Sequence, residues 1–260
     1  MNPVWLGRNL HEAWGHRAGV RDFVKRMLWL YDRKPRFGST RGHYEIGFRY
    51  PSPVGGIRLA VRPNLGSDAF IFGEVFHHEY YRMDLRDDPH TILDLGANAG
   101  FTAVYFGRKY SGARLACVEP MPANVRILER NLALNAICAE VLPVAAAVND
   151  GSVFMEVTAK DYGHRIIASP TVGDAIEVPA LSIDTIRRRV GWDRIGLLKI
   201  DIEGYEKTLL AENCSWLWQV DNLCIECHEG FGEADLRRIA RQFGFLAPSQ
   251  LPGIWLLRRN

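Results

Sequence analysis

The pattern of apolar positions along this chain of 260 residues is most regular from residue 91 onward. There, short apolar and β-branched runs alternate with stretches whose apolar residues recur three and four positions apart. This order of strand and helix patterns is typical of an α/β fold built on a mostly parallel sheet. The predicted strands are Thr91–Leu95, Leu115–Glu119, Val141–Val148, Ser152–Ala159, Ile176–Ser182, Ile195–Asp201, Leu223–His228 and, at the far edge, Gly253–Arg258, and the predicted helices are Phe101–Tyr110, Pro122–Leu134, Asp184–Val190, Ala234–Phe243 and one that begins near Glu203.

The first 66 residues show a different organisation. Two stretches of alternating apolar and polar residues, Tyr44–Tyr50 and Ile57–Arg62, flank a turn at Pro51–Gly56, which predicts a β-hairpin. We therefore expect an N-terminal helical and hairpin extension, residues 1–66, followed by one large domain, residues 67–260. The helix of this extension is predicted from apolar residues at helical spacing, namely Val20, Phe23, Val24, Met27, Leu28 and Tyr31.

Positive charge is concentrated in this extension. Residues 1–41 contain nine Lys or Arg and three Asp or Glu, a net charge of +6, whereas the whole chain carries +2, which leaves −4 for residues 42–260. We expect the N-terminal helix to pack on the domain as a lid or docking element that covers part of the ligand site. A membrane-surface helix and a homodimer contact are the alternatives. Because the basic excess lies away from the motifs described next, no nucleic-acid partner is expected.

The most informative stretch is the predicted strand Thr91–Leu95, which runs directly into the turn Gly96-Ala97-Asn98-Ala99-Gly100. The two glycines allow the backbone to turn tightly and a ligand to approach closely. The helix that follows directs its free N–H groups toward the turn. This arrangement is typical of nucleotide-like cofactors at the carboxyl edge of an α/β sheet, and a strand–turn–helix without ligand is the alternative.

Two acidic residues narrow the choice of cofactor. Glu119 ends the next strand, 23 residues after Gly96, where a carboxylate accepts hydrogen bonds from the ribose of NAD or of S-adenosylmethionine. Asp94 beside the turn would repel a pyrophosphate but suits the ammonium and sulfonium groups of S-adenosylmethionine. The dinucleotide fingerprint is also absent, because residue 98 is not glycine. The predicted S-adenosylmethionine-binding residues are Asp94, Gly96, Ala97, Asn98, Gly100, Glu119, Pro120, Asn124, Ala146 and Asp201.

A second motif, L-L-K-I-D-I-E-G-Y-E at Leu197–Glu206, agrees with this interpretation. Together with D-L-G-A-N-A-G-F at Asp94–Phe101 and V-E-P at Val118–Pro120, it closely resembles the FkbM family of S-adenosylmethionine-dependent methyltransferases. The resemblance covers roughly residues 68–228 and implies a Rossmann-like methyltransferase fold, with a mostly parallel seven-stranded sheet and helices on both faces. It also implies an entry segment beside the cofactor, Asp68–Tyr81, whose polar candidates are Glu74, Glu79 and Tyr80.

Candidate catalytic residues follow the carboxyl ends of two predicted strands. Methyl transfer to a hydroxyl needs a base or a metal to remove the proton. Asp201, Glu226 and His228 are the candidates. His228 is either the general base or a histidine held by backbone groups at a strand end. Joint binding of Mg²⁺ by the three is a minor alternative. Lys199 is unusual in a buried strand, so we expect Glu226 or Glu203 to pair with it and Lys199 to orient a catalytic carboxylate. The loop at residues 161–174 is expected to lie over the substrate side.

The five cysteines do not suggest a disulfide framework, because their number is odd and their spacing is scattered. Cys224 and Cys227 form a C-x-x-C pair, but strand residues three apart point to opposite faces, so no metal or redox role is expected. No apolar run approaches the roughly 20 residues that span a membrane, and no signal-peptide core is seen. A reducing cytoplasm is therefore the expected location.

The function expected from these features is O-methylation of a hydroxyl on a sugar, a glycan or a secondary metabolite. Methylation of nucleic acid or protein is the alternative among enzymes. A module that binds S-adenosylmethionine without catalysis is the alternative from another class. The presence of all of Asp94, Gly96, Gly100, Glu119 and Asp201 argues against such a module.

Overall fold

The computed structural model describes residues 11–31, 43–63, 68–156, 163–167, 175–211, 214–228 and 230–259. The helices are α1 (Val20–Tyr31), α2 (Asp68–Phe72, continued by a π-helical turn over Gly73–His77), α3 (Phe101–Lys109), α4 (Pro122–Leu134), α5 (Ile183–Arg189), α6 (Glu206–Leu209) and α7 (Glu233–Phe243), with a 3₁₀ turn over Ser215–Gln219. The strands are β1 (Tyr44–Arg49), β2 (Gly56–Val61), β3 (Thr91–Leu95), β4 (Arg114–Val118), β5 (Ala139–Leu142), β6 (Ala145–Ala147), β7 (Gly151–Glu156), β8 (Ile166–Ile167), β9 (Ala175–Ser182), β10 (Ile195–Ile200), β11 (Val220–Ile225), β12 (Ser249–Gln250) and β13 (Trp255–Arg258).

Within the described residues the main sheet has seven strands in the order β12-β13-β11-β10-β3-β4-β5. The strands from β11 to β5 run parallel, while β13 and β12 are antiparallel to their neighbours. The mostly parallel seven-stranded sheet is thus confirmed. At the far edge the prediction was incomplete, because the short strand β12 lies outside β13.

The single strand predicted over Val141–Val148 is wrong. The chain leaves the main sheet after Leu142 and enters a second, four-stranded sheet at Ala145, with the order β6-β9-β7-β8 in the described part of the chain. Pro143 explains the break, because proline has no N–H to donate to a continuing ladder, and the N–H of Val144 turns back to the carbonyl of Leu142 at 2.9 Å. Residues 157–159 of the predicted strand that follows lie outside the described residues.

Both faces of the main sheet are covered by apolar layers. Neighbouring residues of β3 face opposite layers, so Ile92 joins one cluster while Leu93 joins the other. The first layer includes α3 and the hairpin β1–β2, and Phe48 of the hairpin packs in the same cluster as Phe106 of α3. The second layer includes α5 and α7. The hairpin is confirmed, and it shares its core with the large domain; the boundary at residue 66 stays a prediction.

Helix α1 packs on the hairpin in the opposite orientation to the one its apolar pattern predicts. Val20, Val24 and Leu28 are 66%, 49% and 42% exposed, whereas Trp29 and Arg26 are buried. The polar side chains point inward because β1 is an edge strand whose backbone groups need partners. The predicted inward-facing apolar surface is therefore wrong, and the side chain of Tyr31 lies outside what the structure describes.

The contacts of α1 with the hairpin are hydrogen bonds to its backbone. Asp22 accepts from the N–H of Gly47 at 2.9 Å, and Lys25 donates to the carbonyl of Glu45 at 2.9 Å. The indole N–H of Trp29 donates to the carbonyl of Arg62 at 2.7 Å. These bonds fix which side of the helix faces the protein.

Candidate active site

A cavity of about 290 Å³ opens at the carboxyl edge of the main sheet. It is lined by the residue that directly follows each of four adjacent parallel strands: Gly96 after β3, Glu119 after β4, Asp201 after β10 and Glu226 after β11. The four strands end in register, so these residues meet at one edge. Ligands of open α/β sheets bind at this edge.

Most of the sequence-predicted site residues come together in this cavity. Asp94, Gly100, Glu79 and Tyr80 do not line it. Of the loop predicted over the substrate side, Gly163, His164 and Ile166 line the cavity, and residues 161–162 and 168–174 lie outside the described residues. The predicted residues that do line it are Gly96, Ala97, Asn98, Glu119, Pro120, Asn124, Ala146, Lys199, Asp201, Glu226 and His228, with Glu74 of the entry segment.

The two glycines of the turn serve different purposes. At Gly96, with φ of 75°, an added Cβ would lie 1.8 Å from the carbonyl oxygen of Asp201, so the cavity floor depends on two backbones in close approach. At Gly100, with φ of 80°, an added Cβ would lie 2.5 Å from a methyl carbon of Leu128 in α4. Gly100 does not line the cavity, and its lack of a side chain allows this helix packing, so its predicted contact with the cofactor stays a prediction.

Glu119 is held by a set of donors at one end of the cavity. Its Oε2 accepts from the N–H of Asn98 at 2.9 Å, and its Oε1 accepts from the N–H of Met121 at 2.9 Å and from the amide of Asn124 at 3.1 Å. Burial raises the pKa of Glu119, and these hydrogen bonds oppose that rise. A carboxylate has about four lone-pair sites, so one remains for a ligand hydroxyl.

Arg62, at the end of the hairpin, supports this arrangement from behind. Its guanidinium donates to Asn124 at 2.6 Å and to Asn98 at 3.1 Å, and it forms a buried ion pair with Asp68 at 2.6 Å. The hairpin therefore fixes both asparagines beside Glu119. No motif in the sequence pointed to Arg62, because its partners lie 36 and 62 residues away.

Lys199 pairs with different carboxylates from those predicted. Its Nζ lies 2.9 Å from Asp94 and 3.5 Å from Asp201, and it donates to the carbonyl of Gly96 at 2.8 Å. Burial lowers the pKa of Lys199, but the ion pairs with Asp94 and Asp201 outweigh burial and hold that pKa above its usual range. The register explains the choice, because Lys199 lies directly opposite Asp94 on β3 and Glu226 lies beyond the end of β11. The prediction of Glu226 or Glu203 as the partner is wrong.

Asp94 is fully buried and does not face the cavity. Its second oxygen accepts from the hydroxyl of Thr102 at 2.5 Å. The contact of Asp94 with the cationic end of the cofactor stays a prediction, and Asp201, in the same ion-pair cluster, is the carboxylate of that cluster that lines the cavity.

The other end of the cavity collects carboxylates with few donors. Burial, with the nearby charge of Asp201, raises the pKa of Glu74 to about 7 and that of Glu226 to about 8. Within the described part of the chain, no hydrogen-bond donor contacts either side chain. Both residues therefore have free lone pairs and bind a proton near neutral pH. Glu79, by contrast, pairs with Arg82 on the surface at 2.9 Å.

His228 lies between two carboxylates. Its Nδ1 is 2.9 Å from Oε1 of Glu206, and its Nε2 is 3.6 Å from Glu203. The hydrogen bond to Glu206 is the main reason why the pKa of His228 is raised to about 9, against an opposing effect of burial. His228 is then an imidazolium at neutral pH and has no free nitrogen to take up a proton, so this geometry favours Glu226 over His228 as a base.

Glu206 is a functional candidate that the sequence reasoning missed. It is fully buried, and its Oε1 also accepts from the N–H of Ile202 at 3.0 Å, so it fixes the segment that carries Asp201 and Glu203. Its place at the end of the L-L-K-I-D-I-E-G-Y-E motif was the available signal. Its contact with His228 could not be predicted, because Glu206 lies six residues beyond the end of β10 and 22 residues before His228 in the sequence.

Metal binding finds no support in the described residues, where no three His, Cys, Asp or Glu side chains are grouped closely enough to hold an ion. Cys224 is buried in β11, Cys227 lies beyond the strand end, and all five cysteines are free thiols. Helix α1 contributes no side chain to the cavity in the part of the chain that is described. No described helix is long and apolar enough to cross a membrane.

Comparisons with known proteins identify the family of this chain. Residues 94–247 match the methyltransferase FkbM domain. The chain is 31% identical over 198 residues to methyltransferase sdnD of Sordaria araneosa (63% of this chain, 76% of the relative). It is 23% identical over 218 residues to the 31-O-demethyl-FK506 methyltransferase FkbM of Streptomyces tacrolimicus (70% and 83%).

A crystal structure of methyltransferase FkbM from Methylobacillus flagellatus KT superposes with a TM-score of 0.48 at 19% identity, covering 67% of this chain and 44% of that chain. The family match spans more than half of the residues, from the end of β3 to just beyond helix α7. The chain therefore belongs to the FkbM family of S-adenosylmethionine-dependent methyltransferases.

Proposed function

We propose that this methyltransferase transfers the methyl group to a hydroxyl of a sugar, a glycan or a secondary metabolite, with Glu226 as the general base. The observation that carries the proposal is the Glu226 carboxylate, which lines the cavity, has no hydrogen-bond donor among the described residues and has a pKa raised to about 8. A base with a pKa near the working pH is suited to remove a hydroxyl proton. The name of the Streptomyces tacrolimicus relative also refers to an O-demethyl compound.

The residues of the cavity fit S-adenosylmethionine. Glu119 keeps a lone pair for a ribose hydroxyl, and Gly96 leaves room where a side chain would meet the backbone of Asp201. Ala145 and Ala146 offer small side chains against a flat base. The carboxylate of Asp201 faces the space that suits the cationic end. When bound, S-adenosylmethionine supplies a methyl group on a positively charged sulfur.

The chain's own residues supply the rest of the reaction. Lys199 holds Asp94 and Asp201 together and so fixes the floor of the cavity. Glu226 would take up the proton of the acceptor hydroxyl when that oxygen receives the methyl group and the electrons of the broken carbon–sulfur bond stay on the sulfur. His228, kept as a cation by Glu206, offsets the negative charge of the neighbouring carboxylates. A positioned base contributes about 10²–10⁴-fold to the rate.

Isotopic methyl transfer tests this proposal. The protein is incubated with methyl-labelled cofactor and a panel of hydroxylated acceptors, with single-stranded RNA and a protein lysate as competing acceptors. We expect label on a hydroxyl compound, with transfer lost in Glu226→Gln. Label only on RNA or protein would overturn the choice of acceptor. Tight cofactor binding by calorimetry with no transfer to any class would instead indicate a binding module.

A further inference from the structure

We propose that helix α1 docks the protein on an anionic lipid surface through its outward apolar face. This inference is independent of the acceptor and of the chemistry in the cavity. The surface is formed by four exposed residues, here named the outer patch: Trp14, Val20, Val24 and Leu28.

The outer patch is unusual because the helix is inverted relative to an ordinary surface helix. Surface helices bury their apolar side and expose their charged side. In α1 Arg26 is only 3% exposed, while Val20, Val24 and Leu28 recur at four-residue intervals on the solvent side. The inversion cannot be relieved by rotating the helix, because Asp22 and Lys25 are hydrogen-bonded to the hairpin backbone. Exposed apolar side chains that the hydrogen bonds of their own helix hold toward solvent indicate an interaction site.

Trp14 extends this row beyond the helix. Its ring contacts Phe23 edge-on at 5.4 Å between ring centroids, and the guanidinium of Arg17 lies 3.5 Å above its centroid. Tryptophan beside arginine is a combination suited to a membrane interface, where the ring reaches the acyl boundary and the cation reaches the headgroups.

The charges around the outer patch favour a negatively charged bilayer over a second copy of this helix. Arg21 is exposed beside the outer patch. The acidic residues of the described segment 11–31, Glu12 and Asp22, are half-buried and face His77 and the hairpin backbone. A second copy of this helix would bring like charges together, and four side chains are few compared with the roughly 20–30 residues per side of a standard protein interface. A negatively charged bilayer matches both the apolar row and the basic flank.

Vesicle sedimentation of the full chain tests the docking. The probes are phosphatidylcholine vesicles with and without phosphatidylglycerol. We expect binding to the anionic vesicles, weakened by salt, and about tenfold weaker partitioning of the Val24→Glu/Leu28→Glu variant. The matched control is Leu246→Glu, since Leu246 is 41% exposed on another surface compared with 42% for Leu28. Its partitioning is expected to equal that of the wild type.

Each other outcome overturns the proposal. Absence of binding to anionic vesicles, or equal loss in Leu246→Glu, would remove the outer patch as a lipid site. Equal binding to neutral vesicles would overturn the proposal that the surface it binds is anionic. If light scattering showed a dimer that Val24→Glu/Leu28→Glu dissociates, while vesicles stay unbound, the occupant would be a second copy. Unchanged cofactor affinity of the double variant, measured by calorimetry, verifies that it folds.

Discussion

The two ends of the cavity treat buried carboxylates in opposite ways. At one end, Glu119 receives three hydrogen bonds from the chain and stays fixed by Asn98, Met121 and Asn124. At the other end, Glu74 and Glu226 lack donors in the described residues, and their pKa values rise to about 7 and about 8. The first end is complete before a ligand arrives, whereas the second end holds charge that a cation or a proton must balance. We therefore call the end that contains Glu119 the recognition end and the end that contains Glu74 and Glu226 the chemical end.

The largest expected effect tests the chemical end. Glu226→Gln should lower kcat by about 10²–10⁴-fold while leaving cofactor affinity nearly unchanged, because the amide cannot take up a proton. In the wild type, kcat/KM for the cofactor, which reports the free enzyme, should rise with pH through about 8, where Glu226 loses its proton, and the variant should lack this rise. Initial rates from pH 6 to 9.5 measure both. Glu74→Gln is the matched control; if it removed the rise instead, Glu74 would be the base.

The next effect tests the recognition end. Glu119→Gln should weaken cofactor binding by about 1–3 kcal/mol, because the side chain loses the charge that its donors and the ligand hydroxyl require. This corresponds to about 5–150-fold in Kd by calorimetry. Glu140→Gln, on the exposed part of β5, should leave Kd unchanged. Equal affinity of Glu119→Gln and the wild type would mean that Glu119 does not contact the cofactor.

A smaller effect concerns Glu206, the buried carboxylate that contacts His228 at the chemical end. Glu206→Gln should lower the pKa of His228 from about 9 toward its ordinary value, because the neutral amide no longer stabilises the imidazolium. Chemical shifts of the His228 ring across a pH titration measure this directly. Glu206→Asp should retain most of the rise, and the exposed Glu233→Gln is the control. An unshifted His228 in Glu206→Gln would contradict the assigned contact.

The smallest effect is proton release on cofactor binding. The cofactor adds positive charge beside Glu74 and Glu226, which lowers their raised pKa values, so at pH 7.5 up to about one proton should leave the protein. Calorimetry in two buffers with different ionisation enthalpies gives the number of protons. The double variant Glu74→Gln/Glu226→Gln should release none. Equal release from the double variant would place the titrating group elsewhere.

The sequence by itself determined the elements that depend on local patterns. The strand Thr91–Leu95, the turn at Gly96 and the acidic residue Glu119 could be predicted because a buried strand, a tight turn and a strand-end carboxylate each leave a signal within a few residues. The motif at Leu197–Glu206 likewise marked the second strand of the site. These features suffice for the family and for the cofactor.

Only the tertiary structure decided which side chains meet. Strand order and register place Lys199 beside Asp94 and not beside Glu226, because the neighbours of a strand residue lie on the adjacent strands of the sheet. Helix α1 turns its polar side toward the protein, because the backbone groups at the edge of β1 form hydrogen bonds with Asp22 and Lys25. The pattern of apolar residues along the chain does not show these bonds. Arg62, at the end of the hairpin, contacts Asn124 and Asn98, which lie 62 and 36 residues away along the chain, and only the fold brings these side chains together. Hydrophobic periodicity encodes which residues are buried, but the partner of a buried charge depends on distances that only the folded chain sets.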